Sequence, residues 1–292
     1  MSEDIPHDSP LLGPEQRRKY LSLVGCIGWC ALFVFAPLSL AHSRLARFLA
    51  SPTQAAYSAA IKVLKWLEQH KHYTLSAPLT GHDKLADDDE LYPLQAESST
   101  KHFSDTDWSS SSIPNIQRRS QQGYFTFVAG WTPVAWHSTI ASSGFAQQLL
   151  GEAHAAQSSA EAELYGAVSA LNGILNASYA HRELGIKPAW ETPFTLAIDN
   201  EACRAWLSRA TQRSKLRHID AKLCFLRQAR DKSLLRHIHI KSVNNLADVH
   251  TKPTDKCTFS RFLHRIMRPL HRKDTRQENT TSAKQLGKNN FQ

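Results

Sequence analysis

The hydrophobic positions in the second half of the chain fall into short strand-like runs and longer helix-like stripes. Residues 124–128 and 134–137 carry apolar residues on either side of a short turn that contains Gly130, which predicts a β-hairpin. Residues 194–198 form a short apolar run typical of a central strand, and residues 236–243 alternate in the manner of another strand. From residue 102 onward the pattern therefore predicts the order strand, hairpin, helix, strand, helix, strand, helix.

Two helices are predicted from apolar stripes that follow a capping residue. In the first, Ser51 or Thr53 can cap a helix. Its apolar stripe has helical spacing and contains Ala56, Ala60, Val63 and Leu67. In the second, Ser158 and Glu161 form a capping box. Its apolar face continues through Leu164, Val168, Leu171 and Leu175.

Residues 21–41 contain no charged residue. A run of this length can span a bilayer, and Arg17, Arg18 and Lys19 flank it on one side. The other interpretation is a pair of buried helices that is broken near Pro37. Hydropathy alone does not separate these two, so a single-pass membrane protein anchored by residues 21–41 is one alternative for the chain.

The composition is that of a folded, basic protein. Of the 292 residues, 41% are hydrophobic and 21% are charged, and the formal net charge is +9. Such a charge favours an anionic partner, either nucleic acid or a membrane surface, without choosing between them. The five cysteines are scattered and lack paired zinc-ligand spacing, which argues against a disulfide framework and a zinc site.

Four acidic residues lie in settings that suit the presentation of a carboxylate. Asp105 lies in a short extended run, Glu163 opens a helix, Asp199 ends an apolar strand and Asp248 lies near the start of a last helix. A cluster of carboxylates without histidine or cysteine suits magnesium, which takes oxygen ligands. Four converging carboxylates without a cation would repel one another, by about 4 kcal/mol for a pair at 4 Å and an effective dielectric of 20.

Each of these acids also has an ordinary structural interpretation. Asp107 rivals Asp105, because residues two apart point to the same face of a strand. Glu161 has a capping role at its helix start, which leaves the acid two positions on as the ligand. Asp199 can cap the helix that follows it, and Asp248 can be a first-turn acid stabilised by the helix dipole.

Eight short motifs follow one another along the chain. The first three are Tyr20-Leu-Ser-Leu-Val-Gly25, Arg47-Phe-Leu-Ala-Ser-Pro-Thr53 and Ala59-Ala-Ile-Lys-Val-Leu-Lys-Trp-Leu67. The other five are Phe103-Ser-Asp-Thr-Asp-Trp108, Ser158-Ser-Ala-Glu-Ala-Glu163, Asp199-Asn200, Arg217-His-Ile-Asp220 and Leu246-Ala-Asp-Val-His-Thr-Lys-Pro253. In this order they resemble the end of the reverse transcriptase domain and then the ribonuclease H domain of a copia-type retrotransposon Pol polyprotein.

The resemblance implies an α/β fold with a ribonuclease H-like mixed five-stranded sheet and flanking helices, preceded by a small helical segment. It implies magnesium-dependent hydrolysis of the RNA strand of RNA–DNA hybrids, with two Mg²⁺ ions, or Mn²⁺ in their place. The catalytic and metal-binding residues would be Asp105, Glu163, Asp199 and Asp248. The residues expected to hold nucleic-acid phosphates are Arg204, Arg209, Arg213, Lys215, Arg217 and His218.

The resemblance also divides the chain. It implies a disordered leader at 1–19, a helical remnant of the reverse transcriptase at 20–73, a linker at 74–101, a ribonuclease H-like domain at 102–267 and a basic disordered tail at 268–292. The polymerase palm of that family is missing from these residues, so we expect no polymerase activity. The rest of a reverse transcriptase is a further expected partner, and a cytoplasmic or nuclear location is expected. A catalytically inactive, nucleic-acid-binding remnant is the other alternative.

Overall fold

The structure is a computed structural model that describes residues 5–75, 100–108, 120–128, 132–140, 156, 158–183, 193–209 and 217–269. Its strands are β1 Tyr73–Thr74, β2 Thr100–Asp107, β3 Gln121–Val128, β4 Thr132–Ile140, β5 Phe194–Ile198, β6 Leu235–His239 and β7 Arg268–Pro269. Its α-helices are α1 Pro14–Phe33, α2 Ser39–Ala46, α3 Gln54–His70, α4 Ser159–Glu183, α5 Glu201–Ser208, α6 Arg217–Asp231 and α7 Lys256–Ile266. Among the described residues, 3₁₀ helices cover Ala36–Leu38, Ser242–Asn244 and Leu246–His250.

A five-stranded sheet in the order β4-β3-β2-β5-β6 forms the centre of the fold. The β2, β3 and β4 strands pair antiparallel, whereas β2, β5 and β6 run parallel. The ribonuclease H-like arrangement predicted from the sequence, a mixed five-stranded sheet with flanking helices behind a helical segment, is confirmed. One predicted strand was too long, because β6 ends at His239 and the chain turns into the 3₁₀ helix Ser242–Asn244.

One face of the sheet is covered by α4, α5 and α6. Phe194, Leu196 and Ile198 of β5 point into this core, as expected from the period of two along a strand. They meet Leu164 and Leu171 from the apolar face of α4. Full burial of each such side chain contributes about 1.5–3 kcal/mol, so this layer fixes α4 against the strands that end at the candidate site.

The opposite face of the sheet is covered by the N-terminal helices together with α7 and the 3₁₀ helix Leu246–His250. Phe103, Phe125 and Phe127 of the sheet share one core with Tyr20 of α1 and Phe262 of α7. The hydroxyl of Tyr20 donates to the Leu45 carbonyl at 2.7 Å, which satisfies a buried polar group. The N-terminal helices are therefore part of the packing of the sheet, and the experiments below use the full chain.

Residues 21–41 do not form one continuous helix. The α1 helix ends at Phe33, and the 3₁₀ helix Ala36–Leu38 and then α2 follow it. Pro37 lies in this break, since it has no backbone N–H to donate and its ring clashes with a preceding helical turn. Among the described residues, no helix is long and apolar enough to cross a membrane.

Several element boundaries differ from the divisions expected from the sequence. The α1 helix begins at Pro14, inside the expected leader, where proline suits the first turn of a helix. The β2 strand begins at Thr100, inside the expected linker, and β1 pairs with β7. Residues 76–99 and 270–292, which contain most of the expected linker and tail, lie outside the described residues.

The caps and the first apolar stripe agree with the predictions. The Thr53 hydroxyl accepts from Ala56 N at 3.2 Å, and Ala56, Ala60 and Val63 are buried on α3. The Ser158 hydroxyl accepts from Glu161 N at 3.2 Å at the start of α4. These bonds satisfy N–H groups that have no partner within the helix.

Candidate metal centre

Asp105 and Asp199 lie side by side because β2 and β5 are parallel neighbours in the sheet. Phe103 of β2 pairs with Ala197 of β5, and each aspartate lies two residues further along the chain, Asp105 within β2 and Asp199 just after β5. Asn200, and not Asp199, caps α5: its side chain accepts from Cys203 N at 2.9 Å. Asp199 is therefore not the cap of this helix.

Asp105 is buried, whereas Asp107 two residues further along β2 is only half-buried. The hydroxyl of Thr251 donates to Oδ2 of Asp105 and so fixes the orientation of its carboxylate. Directly opposite Asp105 in the β2–β3 pair lies Gly123. A Cβ atom on Gly123 would lie 2.6 Å from Cβ of His250, so the glycine makes room for the segment that carries Thr251.

Glu163 approaches the sheet from the second turn of α4. Its Oε1 accepts from the backbone N–H of Thr106 at 3.1 Å, while its buried Oε2 has no hydrogen-bond partner among the described residues. Gly166, one turn later, permits the close approach of the helix, since a Cβ there would lie 2.5 Å from Oγ1 of Thr106. Packing and a hydrogen bond thus hold Glu163 next to β2.

Asp248 lies in the 3₁₀ helix Leu246–His250, and not at the start of the last α-helix, which begins at Lys256. Asn245 fixes this 3₁₀ helix, because its side chain accepts from Ala247 N and donates to the Ser104 carbonyl at 2.9 Å. Asp248 is buried, and its Oδ1 has no hydrogen-bond partner among the described residues.

The structure brings three of the four predicted acids into one cluster. Asp105, Asp199 and Asp248 each offer a carboxylate oxygen, and these atoms lie within 4.8 Å of one another. Glu163 lies outside this group of three, but it is close enough for the charges of Asp105 and Asp199 to act on it.

Burial and mutual repulsion raise the pKa values of Asp105, Glu163 and Asp248. Burial, together with the charge of Asp105, raises the pKa of Asp248 to about 8. Burial also raises the pKa of Asp105, although Lys252 acts in the opposite direction. Burial and then the charges of Asp105 and Asp199 raise the pKa of Glu163 well above its usual value. A group of carboxylates with raised pKa values in one place is characteristic of a functional site.

Lys252 is the counter-charge of the cluster, a role that was not predicted from the sequence. Its Nζ lies 3.1 Å from Oδ2 of Asp248 and 3.7 Å from Oδ2 of Asp105. Burial alone would lower the pKa of Lys252, but these two carboxylates raise it above the ordinary value. The spacing of four residues between Asp248 and Lys252 was the available signal, since it favours an ion pair along a helical turn.

The residues expected to hold phosphates are only partly described. Arg204 lies on α5, where its guanidinium pairs with Glu201 at 2.8 Å, and Arg209 follows that helix. Arg213 and Lys215 lie outside the described residues, as do the side chains of Arg217 and His218 at the start of α6. The structure therefore places the helices of this basic region beside β5 and leaves its phosphate contacts a prediction.

Known proteins that share sequence with most of the chain include two polyproteins. They are the retrovirus-related Pol polyproteins from transposons RE1 and RE2 of Arabidopsis thaliana, each 24% identical over 248 residues. The matched region covers 85% of this chain but only 15% of each polyprotein. No protein-family model matches the chain.

Two solved structures are also similar. RNase H1 from the halophilic archaeon Halobacterium salinarum NRC-1 is 14% identical with a TM-score of 0.30, over 52% of this chain and 93% of that one. The N-terminal RNase H domain of rv2228c from Mycobacterium tuberculosis, fused to maltose binding protein, is 14% identical with a TM-score of 0.33, over 57% and 98%. Because both TM-scores are low, the relatives of this chain are identified from the sequence matches. They confirm the predicted resemblance: retrovirus-related Pol polyproteins of transposons are homologues of this chain.

Proposed function

We propose that the chain is a ribonuclease H-type nuclease that hydrolyses the RNA strand of RNA–DNA hybrids with the help of divalent metal ions. The observation that carries this proposal is the convergence of Asp105, Asp199 and Asp248, whose ligand atoms lie within 4.8 Å of one another. The homologous Pol polyproteins support a nucleic-acid substrate and the rest of a reverse transcriptase as a partner.

The donor set fits Mg²⁺, with Mn²⁺ as a substitute. All the donors are carboxylate oxygens, which hard divalent cations prefer. Oδ1 of Asp248 and Oε2 of Glu163 are buried without a hydrogen-bond partner among the described residues, so each oxygen can serve as a metal ligand. We assign Asp105, Glu163, Asp199 and Asp248 as the ligands of two ions. When bound, two such ions activate the attacking water and stabilise the leaving oxygen of a phosphodiester.

The other residues of the site hold the carboxylates in place. Thr251 orients Asp105 through its hydroxyl, and the backbone N–H of Thr106 orients Glu163. Lys252 partly neutralises Asp105 and Asp248, which limits the repulsion between carboxylates before a cation arrives. Fixed ligands of this kind lower the reorganisation needed when the substrate binds.

Substrate recognition would depend on the shape of the hybrid and not on its base sequence. The 2′-hydroxyl groups distinguish an RNA strand from a DNA strand, and basic side chains neutralise the phosphates. We assign the phosphate contacts to the basic region that starts on α5. Its members are Arg204, Arg209, Arg213, Lys215, Arg217 and His218.

The proposal is tested with the purified full chain and a hybrid in which each strand carries a different label. With Mg²⁺ we expect fragments of the RNA strand only, and with a chelator we expect none. Single-stranded RNA and double-stranded DNA of the same sequence are the controls. A folded protein that binds the hybrid but releases no fragments with Mg²⁺ or Mn²⁺ would be an inactive remnant, which contradicts the proposal.

Metal binding should strengthen as the pH rises toward 8. The pKa of Asp248 is about 8, so below that pH the acid is protonated and a cation must displace the proton. We therefore expect the apparent affinity for Mg²⁺ to rise about tenfold per pH unit for each displaced proton and to level off above pH 8. Calorimetric titration between pH 6 and 9 measures this, and Asp248→Asn should reduce the slope by about one proton. An affinity that does not change between pH 6 and 8 would contradict the assignment.

A further inference from the structure

A second concave surface lies beside the carboxylates, between α2, α3 and the segment that leads into α7. It is a cleft of about 460 Å³, which is within the usual size of small-ligand sites. We call it the Lys252 cleft and define it by its basic and aromatic residues. These are Arg44, Lys62, Trp66, Lys252, Lys256 and Phe259.

The charge of the cleft suits an anion. Lys62 and Lys256 are exposed, and neither has an ion-pair partner among the described residues. The acid on the rim, Asp255, is already engaged as the cap of α7, where it accepts from Cys257 N at 2.9 Å and Thr258 N at 3.0 Å. The cleft therefore presents the ammonium groups of Lys62 and Lys256 to the solvent. The neighbouring Asp255 carboxylate is hydrogen-bonded to the start of α7.

The wall of the cleft is aromatic and apolar. Trp66 and Phe259 meet edge to face with their ring centroids 5.7 Å apart, and both are half-buried. Leu38, Val63 and Val249 complete the apolar lining. An aromatic wall next to cations suits a nucleotide, since a base packs against aromatic rings while its phosphate meets lysines.

The cleft adjoins the candidate metal centre at Lys252. Lys252 lines the cleft, and its Nζ lies 3.1 Å from Oδ2 of Asp248. A nucleic-acid strand with a phosphodiester at the carboxylates can therefore pass along the Lys252 side chain into the cleft.

We propose that the Lys252 cleft binds an unpaired nucleotide of a nucleic-acid strand that leads away from the carboxylates. The phosphate contacts Lys62 and Lys256. The base packs against Trp66 and Phe259. The choice of a nucleic-acid strand as the ligand rests on the proposed nuclease function. The cleft adds a binding site for single-stranded nucleic acid that the four carboxylates do not provide.

The charge part is tested by fluorescence anisotropy with labelled hexathymidylate and the full chain, in a chelator so that no cleavage occurs. In Lys62→Gln/Lys256→Gln we expect binding about tenfold weaker and a slope of log affinity against log salt reduced by about 1.4, or 0.7 for each lost phosphate contact. Lys65→Gln/Lys71→Gln removes the same charge from α3 and its C-cap, outside the cleft, and should leave both quantities unchanged. Equal affinities of the wild type and the Lys62/Lys256 variant would overturn the proposal.

The base part uses an abasic strand of the same length. The wild type should bind hexathymidylate about tenfold more tightly than the abasic strand, the equivalent of about 1.4 kcal/mol of stacking. Trp66→Leu should lose this preference, and because the preference is a ratio it is unaffected by partial loss of folded protein. A hexaglutamate peptide that binds as tightly as hexathymidylate would mean that the cleft selects charge alone, which also overturns the proposal.

The two proposals fail separately. Cleavage of the hybrid with no effect of the Lys62/Lys256 variant on hexathymidylate would refute the cleft and leave the nuclease. Binding in the cleft without any cleavage of the hybrid would refute the nuclease and leave a single-strand binding site.

Discussion

Replacing Asp105 by asparagine should abolish most of the cleavage of the hybrid while the protein stays folded. Asparagine has the same shape and can still accept the bond from the Thr251 hydroxyl, but it removes one negative ligand from the centre of the cluster. Loss of about 4 kcal/mol of metal-dependent stabilisation corresponds to a rate at least about a thousandfold lower. The rate of release of labelled RNA fragments at saturating hybrid measures this.

The same substitution should make the metal-free protein more stable. Burial raises the pKa of Asp105 in the folded protein above its value in the unfolded chain. A raised pKa means that folding is most favourable while the acid is protonated, and that stability is lost as the pH rises through the folded-state pKa. Asparagine removes this loss, so at pH 8 in a chelator we expect the variant to have a higher Tm than the wild type.

The control for both measurements is Asp107→Asn. Asp107 lies on the same strand, two residues further along, but outside the cluster of three carboxylates. We expect its rate to stay within about threefold of the wild type. If Asp105→Asn retains the cleavage rate, Asp105 is not a metal ligand. If the variant loses both its cleavage rate and its thermal stability, the buried Asp105 carboxylate does not destabilise the metal-free fold.

The four acids could be predicted from the sequence because each has a local signature, but their convergence could not. Asp105 and Asp199 meet only because β5 pairs with β2 in parallel, a pairing between segments about 90 residues apart. Hydrophobic periodicity identifies both strands and does not fix which strands are neighbours. The cluster is therefore a property of the sheet order, which the resemblance to retrotransposon proteins supplied.

The residues that support the cluster were harder to predict. Thr251 and Lys252 lie in a motif that was recognised, yet only Asp248 in that motif was given a role, because Asp105, the partner that they share, lies on another element. The packing of α1 on the sheet could not be predicted either, because the apolar face of a helix does not show in the sequence which element packs against it. Tyr20 and Phe125, for example, share a core although they are about 100 residues apart.

Gly123→Ala should be the most damaging single change among residues that carry no functional group. Gly123 lies opposite Asp105 in the sheet, and an added Cβ would lie 2.6 Å from Cβ of His250 and 2.8 Å from Cγ2 of Thr251. These are not the far ends of flexible side chains, so the segment itself must move away from the sheet. Overpacking of this kind costs about 1–3 kcal/mol.

The movement should reach the carboxylates. His250 and Thr251 lie two and three residues after Asp248, and the Thr251 hydroxyl holds Asp105. A displacement of about 1 Å at a catalytic group can lower the rate about a hundredfold. We therefore expect Gly123→Ala to reduce cleavage by about ten- to a hundredfold at a temperature where circular dichroism shows it to be folded.

Gly25→Ala is the matched control, because it makes the same chemical change where there is space. Gly25 is an exposed residue inside α1, and an added Cβ would meet no atom within 4 Å. Alanine has the higher helix propensity, so this variant should gain about 0.5–1 kcal/mol of stability and cleave at the wild-type rate. If the two alanine variants behave alike in both measurements, the close packing of Thr251 against β3 does not position the metal centre.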